Sequence, residues 1–337
     1  MTALGIDISD RAVKYAAFSS HHYPKLETFG EERIPPGVVE GGVIKDQGAL
    51  TQALLMVRSK SKASLVHASL PEEKAYVVEV ALPAGDPKLA RETIELHLDE
   101  HVPLEPISAI FDMESIDSSK VALSAVEQGF AEEYSNVLEA ASFQPVSFEL
   151  ESHALARALV PRGSAETIMI VDVGREQSNL SVVSSGLVRL AASIDLGGDA
   201  LTKAIVADLG VSEDEARKLK EEEGLLRRGE EMSAFPSIIR AAGALRDEIY
   251  QRFAYWNNVH KEEQEHIDRI LLCGGNASIP GLAGYFASGV DSVVMIGNPW
   301  VNVTSFEDYI PDIPAHEALK YTTAIGLALR NFEARPI

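Results

Sequence analysis

A single cysteine, Cys273, stands in 337 residues, so no disulfide can form within the chain, and the lack of a cysteine cluster argues against a structural zinc or iron–sulfur centre. Basic residues are scarce too: 30 Lys and Arg face 51 Asp and Glu, for a formal charge of −21. A surface of that sign repels nucleic acid and anionic lipid headgroups, and neither is expected as a partner. No apolar run approaches the about 20 residues of a membrane-spanning helix. The opening MTALGIDISD lacks the basic and then long apolar stretches of a secretory signal. A soluble chain in a reducing compartment, without a membrane anchor of its own, is the expectation. Walker-loop and Rossmann glycine patterns are absent as well, so any phosphate chemistry has to rest on other elements.

What is present suits a two-domain globular protein: 46% of the residues are hydrophobic, enough for two cores. Two segments resemble each other, LGIDISDRAVKYAAF and MIVDVGREQSNLSVV. Each reads as a buried strand ending in Asp, a polar turn and a second strand, which is a hairpin signal. Asp7 and Asp172 thus hold equivalent places, and the repeat points to two similar halves facing each other. Taken singly, either Asp is equally explained by the turn preference of the residue. Between the hairpins, residues 75–148 read strand–helix–strand–strand–helix, an inserted subdomain whose first helix is capped by Asp86 with Pro87 in its first turn. The halves are then 1–74 and 149–317, the second with a helical region over about 199–265, and a closing helix at 318–337 completes the first. The alternation of strands and helices predicts an α/β fold.

Two Gly-Gly turns, Gly197-Gly198 and Gly274-Gly275, each follow a strand and open a helix, where converging amides and the helix dipole favour anions. Carboxylates on paired hairpins followed by two such turns are what nucleotide and Mg²⁺ binding requires.

IDISDRAVK and IVDVGREQSNLSVV resemble the two phosphate motifs of the actin-like ATPase superfamily, and ILLCGGNASIPGL resembles its adenosine motif. LPAGDPKLARETIELHLDEHVPLEP, SIDLGGDALTKAI followed by SEDEARKLK, NPW and the closing AIGLALR narrow the resemblance to the PilM family of pilus-assembly proteins, over nearly the whole chain. It implies an actin-like ATPase fold of two duplicated halves around a nucleotide cleft, with a small inserted α+β subdomain. ATP and Mg²⁺ are the implied cofactors. Asp7 and Asp172 would hold the metal through water. Ser9, Asp10 and Arg11 would form one phosphate turn and Gly174 would face it with Asp172. Gly197, Gly198 and Asp199 would bound the ribose and phosphates, while Gly274, Gly275 and Asn276 would pass along the adenosine. Lys14 is assigned to a phosphate, with a solvated strand lysine as the alternative, and Lys220 to the ribose. The carboxylate that activates water falls on Glu149 or Glu151, of which Glu151 is the candidate catalytic residue beside Asp172.

This sequence departs from the family pattern at Ser9 and Asp10 in the first turn, at Arg175, Glu176, Gln177 and Ser178 in the second, and at Arg217 where a ribose-side glutamate is expected. Asp10 adds negative charge where phosphate would approach, and Arg11 offsets it. The implied role is an ATP-binding cytoplasmic scaffold that recruits the cytoplasmic tail of a PilN-type membrane protein into a groove beside the insert, with other pilus motor components and self-association as further contacts. A division protein like FtsA and an actin-fold sugar kinase are the alternatives; the short insert and the missing amphipathic end speak against the first, and the lack of a sugar-site base signature against the second.

Three further signals have plainer readings. HLDEH, from His97 to His101, matches an inverted zinc-peptidase pattern, yet Pro103 follows at once and no third ligand is evident. His260 and His266 read as solvated surface residues, and Trp300 as a core or interface anchor.

Overall fold

The computed structural model describes residues 2–19, 24–82, 87–226, 234–303 and 309–332, with only the backbone of 87–90. Strands β1 (Leu4–Ser9), β2 (Ala12–Phe18) and β3 (Leu26–Arg33) form an antiparallel meander, apolar on both faces of β1 because the strand is central and covered on either side. A small hairpin, β4 (Val39–Glu40) and β5 (Val43–Ile44), precedes helix α1 (Gln47–Ser61), whose start is fixed by the Asp46 side chain accepting from the Ala49 amide. Strand β6 (Leu65–Leu70) then returns parallel to β1.

The chain next leaves this sheet. Strands β7 (Ala75–Ala81), β8 (Ala109–Ser115) and β9 (Lys120–Glu127) make an antiparallel sheet in the order β7-β9-β8, with helix α2 (Pro87–Leu96) between the first two in sequence. This unit has its own small core, including Val80, Ile94, Leu98, Val121 and Leu123. Helix α3 (Gln128–Ala140) contributes Tyr134, Val137 and Leu138 to the main core, and β10 (Gln144–Leu150) pairs parallel with β6. The separately cored insert is therefore 75–127, shorter than the 75–148 read from sequence, since a helix and strand that follow β9 locally are claimed by the first sheet. The Asp86 cap lies outside the described residues.

Helix α4 (Glu151–Leu159) leads to β11 (Thr167–Val173), β12 (Ser178–Ser184) and β13 (Leu187–Ile194). Helices α5 (Gly198–Leu209), α6 (Glu213–Glu222) and α7 (Phe235–Val259) follow, then β14 (Arg269–Cys273), α8 (Leu282–Ala287), β15 (Val293–Ile296), α9 (Ala315–Ala318) and α10 (Thr322–Leu329). The second sheet runs β13-β12-β11-β14-β15 and the first β3-β2-β1-β6-β10, each an antiparallel meander extended by two parallel strands. The halves are duplicates.

They are joined by an exchange of helices. α4, which follows the first sheet, reaches β12 and β13; α10, which follows the second, is buried along its whole length against β1 and β2, and the two helices pack on each other. A methyl group at Gly326 would sit 1.9 Å from the Ala154 carbonyl oxygen, and one at Gly5 would sit 2.2 Å from that of Ala324. Glycine is needed at both places for backbone to meet backbone. No helix among the described residues is long and apolar enough to cross a membrane.

Candidate functional site

Between the two sheets lies a cleft of about 310 Å³ lined by both hairpin turns and by Gly274, Gly275 and Asn276. Seven cationic side chains and nine carboxylates face it, a far more even balance than in the chain as a whole, which suits a ligand that is itself anionic.

Asp7 and Asp172 end equivalent central strands, where the strand leaves its hydrophobic layer and its last side chains face the cleft. Asp7 is buried and lies opposite Lys14 in the β1–β2 ladder; its Oδ2 is 3.4 Å from Lys14 Nζ, and its Oδ1 accepts from Ser69 Oγ at 3.3 Å. Asp172 lies opposite Asn179, whose Nδ2 donates instead to Glu151 Oε2 at 2.8 Å. The Oδ1 atom of Asp172 has no hydrogen-bond partner. Burial pushes the Asp172 carboxyl up to about 6, with Lys14 pulling it down and Asp7 adding to the rise. Burial alone would lower the Lys14 ammonium, but Asp7, Asp172, Glu31 and Glu151 together hold it above its ordinary value. Lys14 is thus a cleft residue ringed by carboxylates, and the solvated alternative is set aside.

Glu151 opens α4, is buried, and is raised well above the usual carboxylate range by burial and by Glu73, Asp7, Asp172 and Glu72. Glu149, two residues earlier, is elsewhere. Its carboxylate takes both guanidinium nitrogens of Arg157, at 2.6 and 2.8 Å, and Arg330 at 2.7 Å, and these arginines hold it below its ordinary value despite burial. The structure therefore separates the two candidates: Glu151 faces the cleft and Glu149 ties β10 to α4 and the end of the chain. The Asp7, Asp172 and Glu151 carboxylates line the same cleft, and the unpartnered Asp172 Oδ1 offers an oxygen to a hard divalent cation such as Mg²⁺, which takes oxygen ligands and keeps several waters.

The turns differ from their sequence reading in two respects. Asp10 does not point at a phosphate: its oxygens accept from the amides of Gly41 and Gly42, at 3.0 and 3.3 Å, and so anchor the β4–β5 turn. In the Gly197-Gly198 turn the Gly198 and Asp199 amides are already engaged within the protein. Gly198 N–H donates to the Gly174 carbonyl at 3.0 Å and Asp199 N–H to that of Arg175 at 2.8 Å, while Gly197 and Gly198 lie behind the cleft wall. This turn braces the second hairpin turn. Asn276 completes the brace, donating through Nδ2 to Gly174 O at 2.8 Å and accepting at Oδ1 from Lys220 Nζ at 2.8 Å; Lys220 also reaches Gly198 O at 3.2 Å. Lys220 is buried, on the inner side of α6 with Ala216, and burial lowers its ammonium. Gly274 takes φ +86°, and a methyl there would meet Asp172 Oδ1 at 2.0 Å. Ser9 Oγ donates to Ala12 O within its own turn, Arg11 is ion-paired with Glu176, and Arg175 with Asp199.

Several cleft residues escaped sequence reasoning: Glu31, Arg33, Glu73, Asn179, Glu221 and Lys320. Glu73 had a signal, the acidic pair Glu72-Glu73 directly after a buried strand, of which Glu72 accepts from Ser152 N and Oγ, both at 3.0 Å, and is pushed up to about 7 by burial. Lys320 had none.

The histidine readings divide. His97 and His101 are exposed, α2 ends at Leu96 before them, and His97 Nδ1 pairs with Glu100 at 3.0 Å; no site assembles there among the described residues. His266 is exposed as expected. His260, read as solvated, is buried: it stacks on Trp256 with ring centroids 3.8 Å apart, and its Nε2 lies 3.1 Å from Glu79 of the insert. Arg189, 3% exposed, also binds Glu79, so a sheet of the second half holds the insert through buried charge. His260 lies within reach of Glu263 and Glu265, but those carboxylates already face Arg189 and Lys120. Trp300 is a core residue.

A family model described as type IV pilus assembly protein PilM matches residues 5–332. Among solved structures, the chain is similar to one from a PilM-PilN type IV pilus biogenesis complex, at 19% identity and TM-score 0.81 over 99% of either chain. It is also similar to the ethanolamine utilization protein EutJ from Carboxydothermus hydrogenoformans, at 16% identity and TM-score 0.57 over 98% of this chain and 89% of that one. A third likeness is to MreB5 of Spiroplasma citri bound to AMPPNP, at 14% identity and TM-score 0.55 over 97% and 95%. The fold is that of the actin-like ATPases.

Proposed function

Because the chain belongs to the family of type IV pilus assembly proteins PilM, we propose that it is a nucleotide-binding scaffold of pilus assembly that holds ATP with Mg²⁺ and recruits the cytoplasmic tail of a PilN-type membrane protein. The observation that carries the nucleotide reading is the meeting of Asp7 and Asp172 across one cleft, the second with an unpartnered oxygen, beside turns that bring Arg11, Gly174 and Arg175 to the same cleft. Bound Mg²⁺ would neutralise phosphate charge, and Asp7, Asp172 and Glu151 are the residues to hold it, directly or through water. In this reading Arg11, Lys14 and Gly174 meet the phosphates, Lys220 and Asp199 the ribose side, and Gly274, Gly275 and Asn276 the base side, with Arg217 at the same rim. Glu151 is oriented by Asn179 toward the place where water would be activated. Burial and the neighbouring Glu73, Asp7 and Asp172 carboxylates hold Glu151 well above the usual carboxylate range while no cation is present.

The partner reading is supported by the insert. β8 and β10 are edge strands of two sheets, with exposed Ile110 on one and Val146 on the other. Free edges give an extended peptide its backbone hydrogen bonds, and apolar side chains beside them give it specificity. Residues 75–127 are also strongly acidic, which matches the Lys and Arg that cytoplasmic segments of membrane proteins carry. Such a partner would bring the chain to the inner face of the cytoplasmic membrane.

Calorimetric titration with Mg-ATP tests the first part. Saturable binding is expected for the wild-type chain and its loss for Asp172→Ala; a wild-type chain that binds no nucleotide refutes the reading. A fluorescent tail peptide of the PilN-type partner tests the second, with Ile110→Glu expected to weaken binding at least tenfold and an unchanged affinity placing the peptide elsewhere.

A further inference from the structure

We infer that Glu176 stands in for the terminal phosphate of the ligand and biases the cleft toward a nucleoside diphosphate over a triphosphate; this rests on the nucleotide reading above. Arg11 of the first hairpin turn is ion-paired with Glu176 of the second. The other cations of the cleft are held differently. Lys14 faces Asp7 within the first hairpin, Lys320 lies 3.7 Å from Glu31, Arg175 binds Asp199, and Lys220 has only neutral oxygen acceptors. Among the described residues, Arg11–Glu176 is the ion pair lining the cleft that runs from one turn to the other, so a group entering between the turns has to part it.

The surroundings leave Arg11 dependent on that partner. Asp10, its neighbour, has both oxygens committed to the Gly41 and Gly42 amides. Arg11 and Glu176 are 29% and 34% exposed, open enough for the arginine to change partner without unpacking a core. Carboxylate and phosphate present the same geometry of oxygens to a guanidinium fork, so one can replace the other. A third phosphate adds negative charge between the turns, where it is repelled by Glu176 and competes with it for Arg11. A diphosphate adds less charge there and competes less.

Titration of the wild-type chain and of Glu176→Gln with Mg-ADP and with Mg-ATP reads the bias directly. The wild-type Kd for ATP should equal or exceed that for ADP. In Glu176→Gln the Kd for ATP should fall by about tenfold and that for ADP by no more than about twofold, the order expected from removing one unit charge beside the terminal phosphate. A ratio of the two constants that Glu176→Gln leaves unchanged, whether both tighten or neither does, overturns the inference while leaving a nucleotide in the cleft. Binding of neither nucleotide to either protein overturns the nucleotide reading itself.

Discussion

The two halves place an aspartate at the same point of the same strand and then treat it oppositely. Asp7 is met by Lys14 across the ladder and by Ser69 from β6, whereas Asp172 faces Asn179, which turns to Glu151, and keeps an unpartnered oxygen. Duplication of the backbone thus fixes where the two carboxylates sit. The residue opposite each decides whether its charge is compensated inside the protein or left for a ligand. In the first half the carboxylate is compensated from within the protein; in the second one of its oxygens is not.

The strongest way to break the comparison is to separate the halves. Gly326→Val would drive a side chain into the Ala154 carbonyl where α10 crosses α4. Urea unfolding should show a loss of about 3 kcal/mol or more, at the upper end of overpacking costs; a wild-type midpoint would mean the crossing does not hold the halves together. Next comes the pair of neighbouring glutamates. Glu149→Gln leaves Arg157 and Arg330 without their buried carboxylate and should cost about 3 kcal/mol. Glu151→Gln should cost nothing in the empty protein, since it removes a carboxyl crowded by others. Equal losses would erase the division between the Glu149 tie and the cleft.

The aspartates give a smaller effect of opposite signs. Asp7→Asn should destabilise the empty chain by about 1–2 kcal/mol through its lost charged contacts. Asp172→Asn should stabilise it at neutral pH. The sign follows from the titration: the Asp172 carboxyl ionises near 3.8 unfolded and about 6 folded. Its penalty on the folded state is absent below about pH 4, grows between about 4 and 6, and is constant above. Wild-type stability in that window should fall with rising pH more steeply than that of Asp172→Asn, and parallel profiles would remove the asymmetry. Smallest of all, alanine at exposed His97 or His101 should change stability by less than about 0.5 kcal/mol, and Zn²⁺ should not shift the midpoint of the wild-type chain.

Much of the architecture is legible in the order of residues alone. Alternating apolar runs ended by Asp, repeated once, announce the paired hairpins, and the strand orders of the two sheets match accordingly. Gly274, Gly275, Asn276 and Lys14 reach the cleft where the motif order places them. The end of the insert is not legible in this way, because α3 has the same local pattern whether it packs on the insert or on α1; only the position of Tyr134 and Leu138 in the main core distinguishes them. His260 looks solvated because KEEQEH is polar throughout; its stacking partner Trp256 lies one turn earlier, but its acceptor Glu79 comes from the insert.

By itself, then, the sequence determined the strands, the turns that end them, the acidic surface and the residue types available for phosphate and metal, because each follows from local periodicity, turn chemistry and charge. Tertiary structure alone decided that Asp10 faces the Gly41 and Gly42 amides, that the Gly197-Gly198 turn braces its neighbour instead of facing solvent, that Glu151 and not Glu149 enters the cleft, and that Arg11 answers to Glu176. Each of these depends on which groups meet across distant parts of the chain. A buried charge or amide takes whichever partner the packing brings within hydrogen-bond reach, and no local pattern encodes that partner.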